Sequence, residues 1–211
     1  MKTSYVQPKL FALIFIFLLF FFAPLKASSG TATDEMKSTI DGVFRIVTNN
    51  AYKQDHKTRR QKIRSLIDQR FSYEQMGMRS MGKNWGSISE EEQKEFINLF
   101  SKLLENSYAT KIESAKEAHV NYKGEKIKGK YALVKTEIVR NTGPIPVDYK
   151  LINLTSKWKV YDVVIEGVSL VKNYRSQFSR IIHQGSYQAL KKKIVTRISK
   201  IEANKNISGD L

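Results

Sequence analysis

The sequence predicts an α+β fold: a helical layer packed on one face of a mainly antiparallel four-stranded sheet. Apolar residues recur at helical spacing from position 36 to 112 and again from 170 to 201, while from Ala118 to Glu166 the period is two. Short links rich in Gly, Asn and Ser join neighbouring strands of that middle block, which must then run antiparallel. Helices and strands segregated in this way favour α+β over an alternating parallel design.

The chain opens with Lys2 and Lys9, then an unbroken apolar run from Leu10 to Ala23, then Pro24, Leu25, Lys26, Ala27 and a polar Ser28-Ser29-Gly30 stretch. This order reads as a secretory signal peptide, residues 1–27, cut after Ala27. The apolar run is shorter than the roughly twenty residues that a membrane span needs. With no cysteine anywhere in the chain, a lipoprotein anchor is excluded and the exported domain must rely on its core rather than on disulfides. Residues 28–211 carry no repeat, low-complexity tract or linker, and are expected to form one domain.

The first helix is expected from Asp34 to Asn49, with Met36, Ile40, Val43, Phe44 and Val47 on one stripe. A second, from Lys57 to Gln69, buries Ile63, Leu66, Ile67 and then Phe71, and leaves Lys57, Arg59, Arg60, Lys62 and Arg64 exposed. A short helix covers Tyr73 to Met81. Ser89-Glu90-Glu91-Glu92 is a capping box, starting a helix that carries Phe96, Leu99, Phe100, Leu103, Leu104, Tyr108 and Ile112 inward. The four strands are expected at Ala118–Tyr122, Lys130–Arg140, Val147–Leu154 and Lys157–Glu166, with turns at Lys123-Gly124, Asn141–Pro144 and Thr155-Ser156. Helices from Ser169 to His183 and from Ser186 to about Asn204 complete the chain, with Gly185 between them.

Thirty-six Lys and Arg against 20 Asp and Glu give a net charge of +16, and loss of Lys2, Lys9 and Lys26 leaves the mature chain strongly basic. Export argues against nucleic acid as the partner of that charge. Anionic lipid surfaces, anionic head groups or acidic proteins remain.

Motifs for chemistry are sparse. Gly167-Val-Ser169-Leu-Val171 lacks the second glycine of a nucleophile elbow, and Ser169 reads as a helix cap. His56, His119 and His183 show no metal-ligand spacing, so neither a metal nor a cofactor is expected. Asp162 and Glu166 share a strand face and could serve as acid and base, but ion pairs with nearby Lys or Arg account for them as well. No residue is assigned a catalytic role.

The stretch from Trp158 to Phe178, with Asp162-Val-Val-Ile-Glu166-Gly167-Val-Ser169 at its centre, closely resembles the signature of the periplasmic phospholipid carriers of the Mla pathway, the MlaC or toluene-tolerance family. Phe71-Ser-Tyr73-Glu-Gln-Met76 through Gly82-Lys-Asn-Trp85, the Glu92-Gln93 helix and Val147-Asp-Tyr149-Lys-Leu151 extend the likeness over roughly residues 60 to 195. It implies a helical layer enclosing a twisted sheet, with acyl tails held between them. It implies no enzyme, and a monomer that moves phospholipid between outer and inner membranes and so maintains outer-membrane lipid asymmetry. Its partners would be an inner-membrane ABC transporter complex with its substrate-binding MCE subunit and an outer-membrane lipoprotein–porin complex. A carrier of another amphiphile, such as a hopanoid, or a ligand-free exported adaptor are the alternatives.

A two-tailed phospholipid exposes about thirty methylenes at roughly 0.8 kcal/mol each, on the order of 20 kcal/mol in gross terms. A carrier must therefore offer an apolar cavity near the upper end of the usual range, on the order of 1,000 Å³. The candidate lipid-binding residues are Phe71, Met76, Phe96, Phe100, Leu103, Tyr108, Val134, Val147, Tyr149, Leu151, Val163, Ile165, Val171, Tyr174 and Phe178. Each of them would serve equally well in an ordinary packed core. Lys191, Lys192, Lys193, Arg197 and Lys200 on the last helix are the candidate partner-docking residues, and solubility explains a single lysine just as well.

Overall fold

The computed structural model describes residues 30–116 and 118–209. The expected signal peptide, residues 1–27, lies outside them. Six α-helices and a five-stranded sheet follow in chain order: α1 (Ala32–Thr48), α2 (His56–Arg70), α3 (Tyr73–Met81), α4 (Glu90–Glu113), β1 (His119–Lys128), β2 (Tyr131–Arg140), β3 (Gly143–Leu154), β4 (Lys157–Ile165), β5 (Val168–Ser169), α5 (Leu170–Gln184) and α6 (Tyr187–Gly209). Short 3₁₀ turns at Asn50–Tyr52 and Gly82–Ser87 bridge α1 to α2 and α3 to α4.

The helices start where side-chain caps satisfy the free amides. Thr31 and Asp34 form a reciprocal capping box on α1, and Ser89 and Glu92 form one on α4. Asp55, Ser72 and Ser169 cap α2, α3 and α5. Arg59, expected on the exposed side of α2, is instead 5% exposed. Its position, four residues before Ile63, puts it on the inward stripe, and Glu113 of α4 lies opposite.

The sheet is an antiparallel meander in the order β1-β2-β3-β4-β5. It has five strands rather than four because the turn at Glu166-Gly167 lets Val168 and Ser169 pair back onto Ile165 and Val164 before α5 begins. Lys123-Gly124 is not a turn but a bulge within β1: Tyr122 pairs with Thr136 and Gly124 with Lys135, leaving Lys123 as the extra residue. Gly124 sits at φ +149, which suits glycine at the kink. The strand continues to Lys128, and the reversal falls at Gly129. β3 starts at Gly143 rather than Val147 and admits Pro144 and Pro146. β4 ends opposite Val147, and beyond it only Glu166 N–H donates to Pro146 C=O at 2.9 Å, a bond that uses the proline's carbonyl and does not need the N–H it lacks.

Two buried clusters result. One joins α3, α4, α5 and α6 around Phe96, Phe100, Phe178 and Leu190. The other lays Ala32 and Met36 of α1 on Ala132, Val134, Leu151 and Val160 of the sheet. The junction between α2 and α3 is pinned to β4: Phe71 bridges Val160, and Ser72 N–H donates to Val160 C=O at 2.9 Å. α1 thus covers one half of the inner sheet face. α2, α3 and α4 arch over the other half without filling it.

Candidate functional site

Under that arch lies an apolar cavity. Its floor is Ile138 of β2, Val147 and Tyr149 of β3 and Val163 and Ile165 of β4. Its walls are Ile63, Ile67 and Phe71 from α2 and its end, Tyr73 and Met76 of α3, Leu104, Tyr108, Ala109 and Ile112 of α4, and Leu170 of α5. The strand register builds the floor directly. Val147 pairs with Ile165 and Tyr149 with Val163, so alternate side chains of neighbouring strands line up on one face. Thr136, opposite Val147, is fully buried, and its hydroxyl donates to Val147 C=O at 2.5 Å, which keeps it from presenting a free polar atom.

The cavity measures about 230 Å³, and the atom-free space reaches about 1040 Å³ when the open mouth is counted. Charged side chains occur only at that mouth: Arg60 and Arg64 of α2 and Glu105 and Glu113 of α4. Arg60 Nε donates to Glu113 Oε1 at 2.8 Å and Arg64 Nη1 meets Glu105 Oε2 at 2.8 Å. The phenols of the lining stay neutral. Burial pushes Tyr149 up to about 12. Burial also raises Tyr108, with Tyr174 adding to it, and raises Tyr73, whose hydroxyl donates to Asp68. The arrangement offers an uncharged, greasy interior with a zwitterionic rim. Among the described residues no cluster of His, Asp and Glu is arranged to hold a metal ion.

Of the candidate lipid-binding residues, Phe71, Met76, Tyr108, Val147, Tyr149, Val163 and Ile165 line this cavity. Phe96, Phe100, Leu103, Val171, Tyr174 and Phe178 pack in the cluster between helices, where Phe96 stacks on Phe100 with centroids 5.7 Å apart. Val134 and Leu151 lie on the floor's own face, beneath α1. Sequence reading passed over the four charged rim residues as lining, and Ile138 and Ala109 altogether. Ile138 follows Val134 and Thr136 at alternate positions of β2, which was the available signal. Asp162 and Glu166 do not form a pair. Asp162 is 3% exposed and accepts from Ser169 Oγ at 2.7 Å, Val171 N–H at 3.1 Å and Lys150 Nζ at 3.0 Å, while Glu166 sits exposed in the turn after β4. Lys192, Lys193, Arg197 and Lys200 line a shallow groove on α6, and Lys191 pairs with Glu95 at 2.7 Å.

A model of the MlaC protein family matches residues 37–196. The chain belongs to the MlaC family. It is 24% identical over 163 residues to the intermembrane phospholipid transport system binding protein MlaC of Haemophilus influenzae, covering 74% of this chain and 76% of that one. A 52-residue segment is 38% identical to the toluene tolerance protein ttg2D of Pseudomonas putida, 24% of each chain. Its fold matches that of the phospholipid-binding protein from Ralstonia solanacearum, solved in complex with a phospholipid, with a TM-score of 0.74 and 24% identity over 82% of this chain and 99% of that one.

Proposed function

We propose that this protein is a periplasmic phospholipid carrier of the Mla pathway, exported by a cleaved signal peptide, that holds acyl tails in the cavity between sheet and helices. The apolar cavity carries this reading: a chain whose only task was to bind proteins through its basic faces would have no need of a greasy interior open to solvent. Family membership and a relative named for intermembrane phospholipid transport support it. The chemistry is physical rather than covalent. Exposing the tails to water costs as much on release from the carrier as on extraction from a membrane, so loading and delivery take place while the carrier is docked at a membrane or a membrane complex. The inner-membrane ABC transporter complex and the outer-membrane lipoprotein–porin complex are the partners the pathway supplies, no catalysis is involved and the lipid is cargo rather than cofactor.

The cavity as it stands, about 230 Å³, is below the range of about 300–1,000 Å³ usual for ligand sites. Two tails therefore need the arch of α2 and α4 to lift from the sheet. Native mass spectrometry of the gently purified mature chain should find about one glycerophospholipid per protein, identified by fragmenting the ejected ligand. Recovery of a hopanoid instead, or of no lipid after incubation with phospholipid vesicles, would overturn the assignment.

A further inference from the structure

The rim of the cavity contains an arrangement that the apolar interior does not require. Arg60 and Arg64 stand one turn apart on α2, facing Glu113 and Glu105 of α4. Arg60 holds Glu113 with two bonds, from Nε at 2.8 Å and from Nη2 at 3.1 Å. Arg64 reaches Glu105 at 2.8 Å and also Asp68, on its own helix, at 3.4 Å. The two arginines are 37% and 43% exposed, whereas Glu113 keeps only 9%. Behind them is the buried Arg59. Its Nη2 meets His56 Nδ1 at 2.8 Å, but its Nε lies 3.9 Å from Glu113 Oε1 and, among the described residues, has no hydrogen-bond partner. A buried carboxylate is thus flanked by two guanidiniums and fully engages one.

We propose that Arg60 and Arg64 form a recognition site for the phosphodiester of a glycerophospholipid, reached by exchanging carboxylate for phosphate. This rests on the carrier reading above. As a lipid loads, its phosphate takes the two guanidiniums, Glu113 turns to the idle Nε of Arg59, and Glu105 swings into water. No bond is made or broken. One anion replaces another on planar forks that suit phosphate as well as they suit carboxylate. Glu113 is not left buried and unpaired, which would otherwise oppose the exchange. The position is right, because with tails in the cavity the phosphate, one glycerol away, falls at the rim.

The anchoring of α2 makes the exchange matter. Its C-terminal end is tied to the sheet, with Arg70 donating to Trp158 C=O at 2.5 Å and Lys159 donating to Gln69 C=O at 2.5 Å. Its first turns are joined to α4 by the rim ion pairs. Replacing those pairs with contacts to the lipid loosens the wall at the mouth and nowhere else.

The test compares binding of a fluorescent phosphatidylglycerol with binding of a diacylglycerol bearing the same tails, and reads the ratio of the two affinities. Arg64 is the variant of choice, since changing it leaves the buried Arg60–Glu113 pair intact. Arg64→Gln should lower the ratio about tenfold, on the order of 1.4 kcal/mol, and Arg64→Lys should restore part of it. Glu105→Gln, which removes the competing carboxylate, should raise it. A pair that served only to brace the mouth would be weakened alike by both changes, so ratios moving in the same direction overturn the proposal. Inorganic phosphate alone should compete poorly with phosphatidylglycerol, and equal potency would mean that the free anion is the ligand and sink the lipid site. If both lipids bind and no variant alters the ratio, the carrier reading stands and this site falls; if the wild type binds neither, the carrier reading itself has failed.

Discussion

Tyr149 and Val134 are cross-strand partners on one face of the sheet, yet Tyr149 lines the cavity and Val134 lies under α1. Period-two patterning identifies the face, because alternation is a local property of a strand. It carries no information on which helix covers which stretch, and so the walls of the cavity and the solid core are indistinguishable in the sequence. The same limit applied to Asp162, whose carboxylate could be read as catalytic but in the fold ties β4 to the start of α5 through Ser169 and Val171. Tyr149 also gives a pH-dependent signature. Its phenol is raised from 10.0 to about 12 by burial, so the neutral form is favoured in the folded chain. The associated stability is fully present below about pH 10 and is lost as pH rises toward about 12. Urea unfolding across that window should show the wild type losing about 2 kcal/mol more than Tyr149→Phe. Parallel curves for the two proteins would place Tyr149 in a wetter setting than the floor of this cavity.

At the level of elements, the helix starts were the most legible part of the chain. Ser89 and Glu92 bond in both directions, as the spacing required, because a capping box depends on four consecutive residues and little else. Strand ends were less so: the β1 bulge and the two residues of β5 depend on what a neighbouring strand offers, which no local pattern records. Among the three helices of the arch, α2 has the least apolar burial, since of its residues only Arg59 and Ile63 are buried. A wall that contributes so little apolar burial is the one that can move. The chain has no cysteine, so a pair of introduced thiols is unambiguous. Gln61→Cys with Glu105→Cys places one on α2 and one on α4, flanking the same surface groove. Joined by a short reducible bis-maleimide, this variant should take up phospholipid from vesicles about tenfold more slowly than its reduced form, a barrier difference of roughly 1.4 kcal/mol. Uptake unaffected by the link would show that tails enter by another route and that α2 is a fixed wall.

For the molecule as a whole, the cavity and the basic groove on α6 share no lining residue, so the two can be tested separately. The chain carries +16 in full, and Lys192, Lys193, Arg197 and Lys200 gather part of that excess in one groove on the outer side of α6, whose inner side is occupied by Tyr187, Leu190, Ile194 and Ile198. A surface whose apolar side is already buried is free to be read electrostatically. Long-range attraction of this kind raises the rate of encounter with an anionic surface more than it raises final affinity, and it fades beyond a Debye length of about 8 Å at physiological salt. Delivery of a fluorescent phospholipid to vesicles rich in anionic lipid should therefore slow as salt rises, while delivery to zwitterionic vesicles should not. Changing all four groove residues to Gln should cut the low-salt rate about tenfold and flatten its salt dependence, with the amount of lipid carried per protein unchanged. If the variant kept the wild-type rate and slope, the basic groove would have no part in docking, and the excess charge would be acting through the rest of the surface.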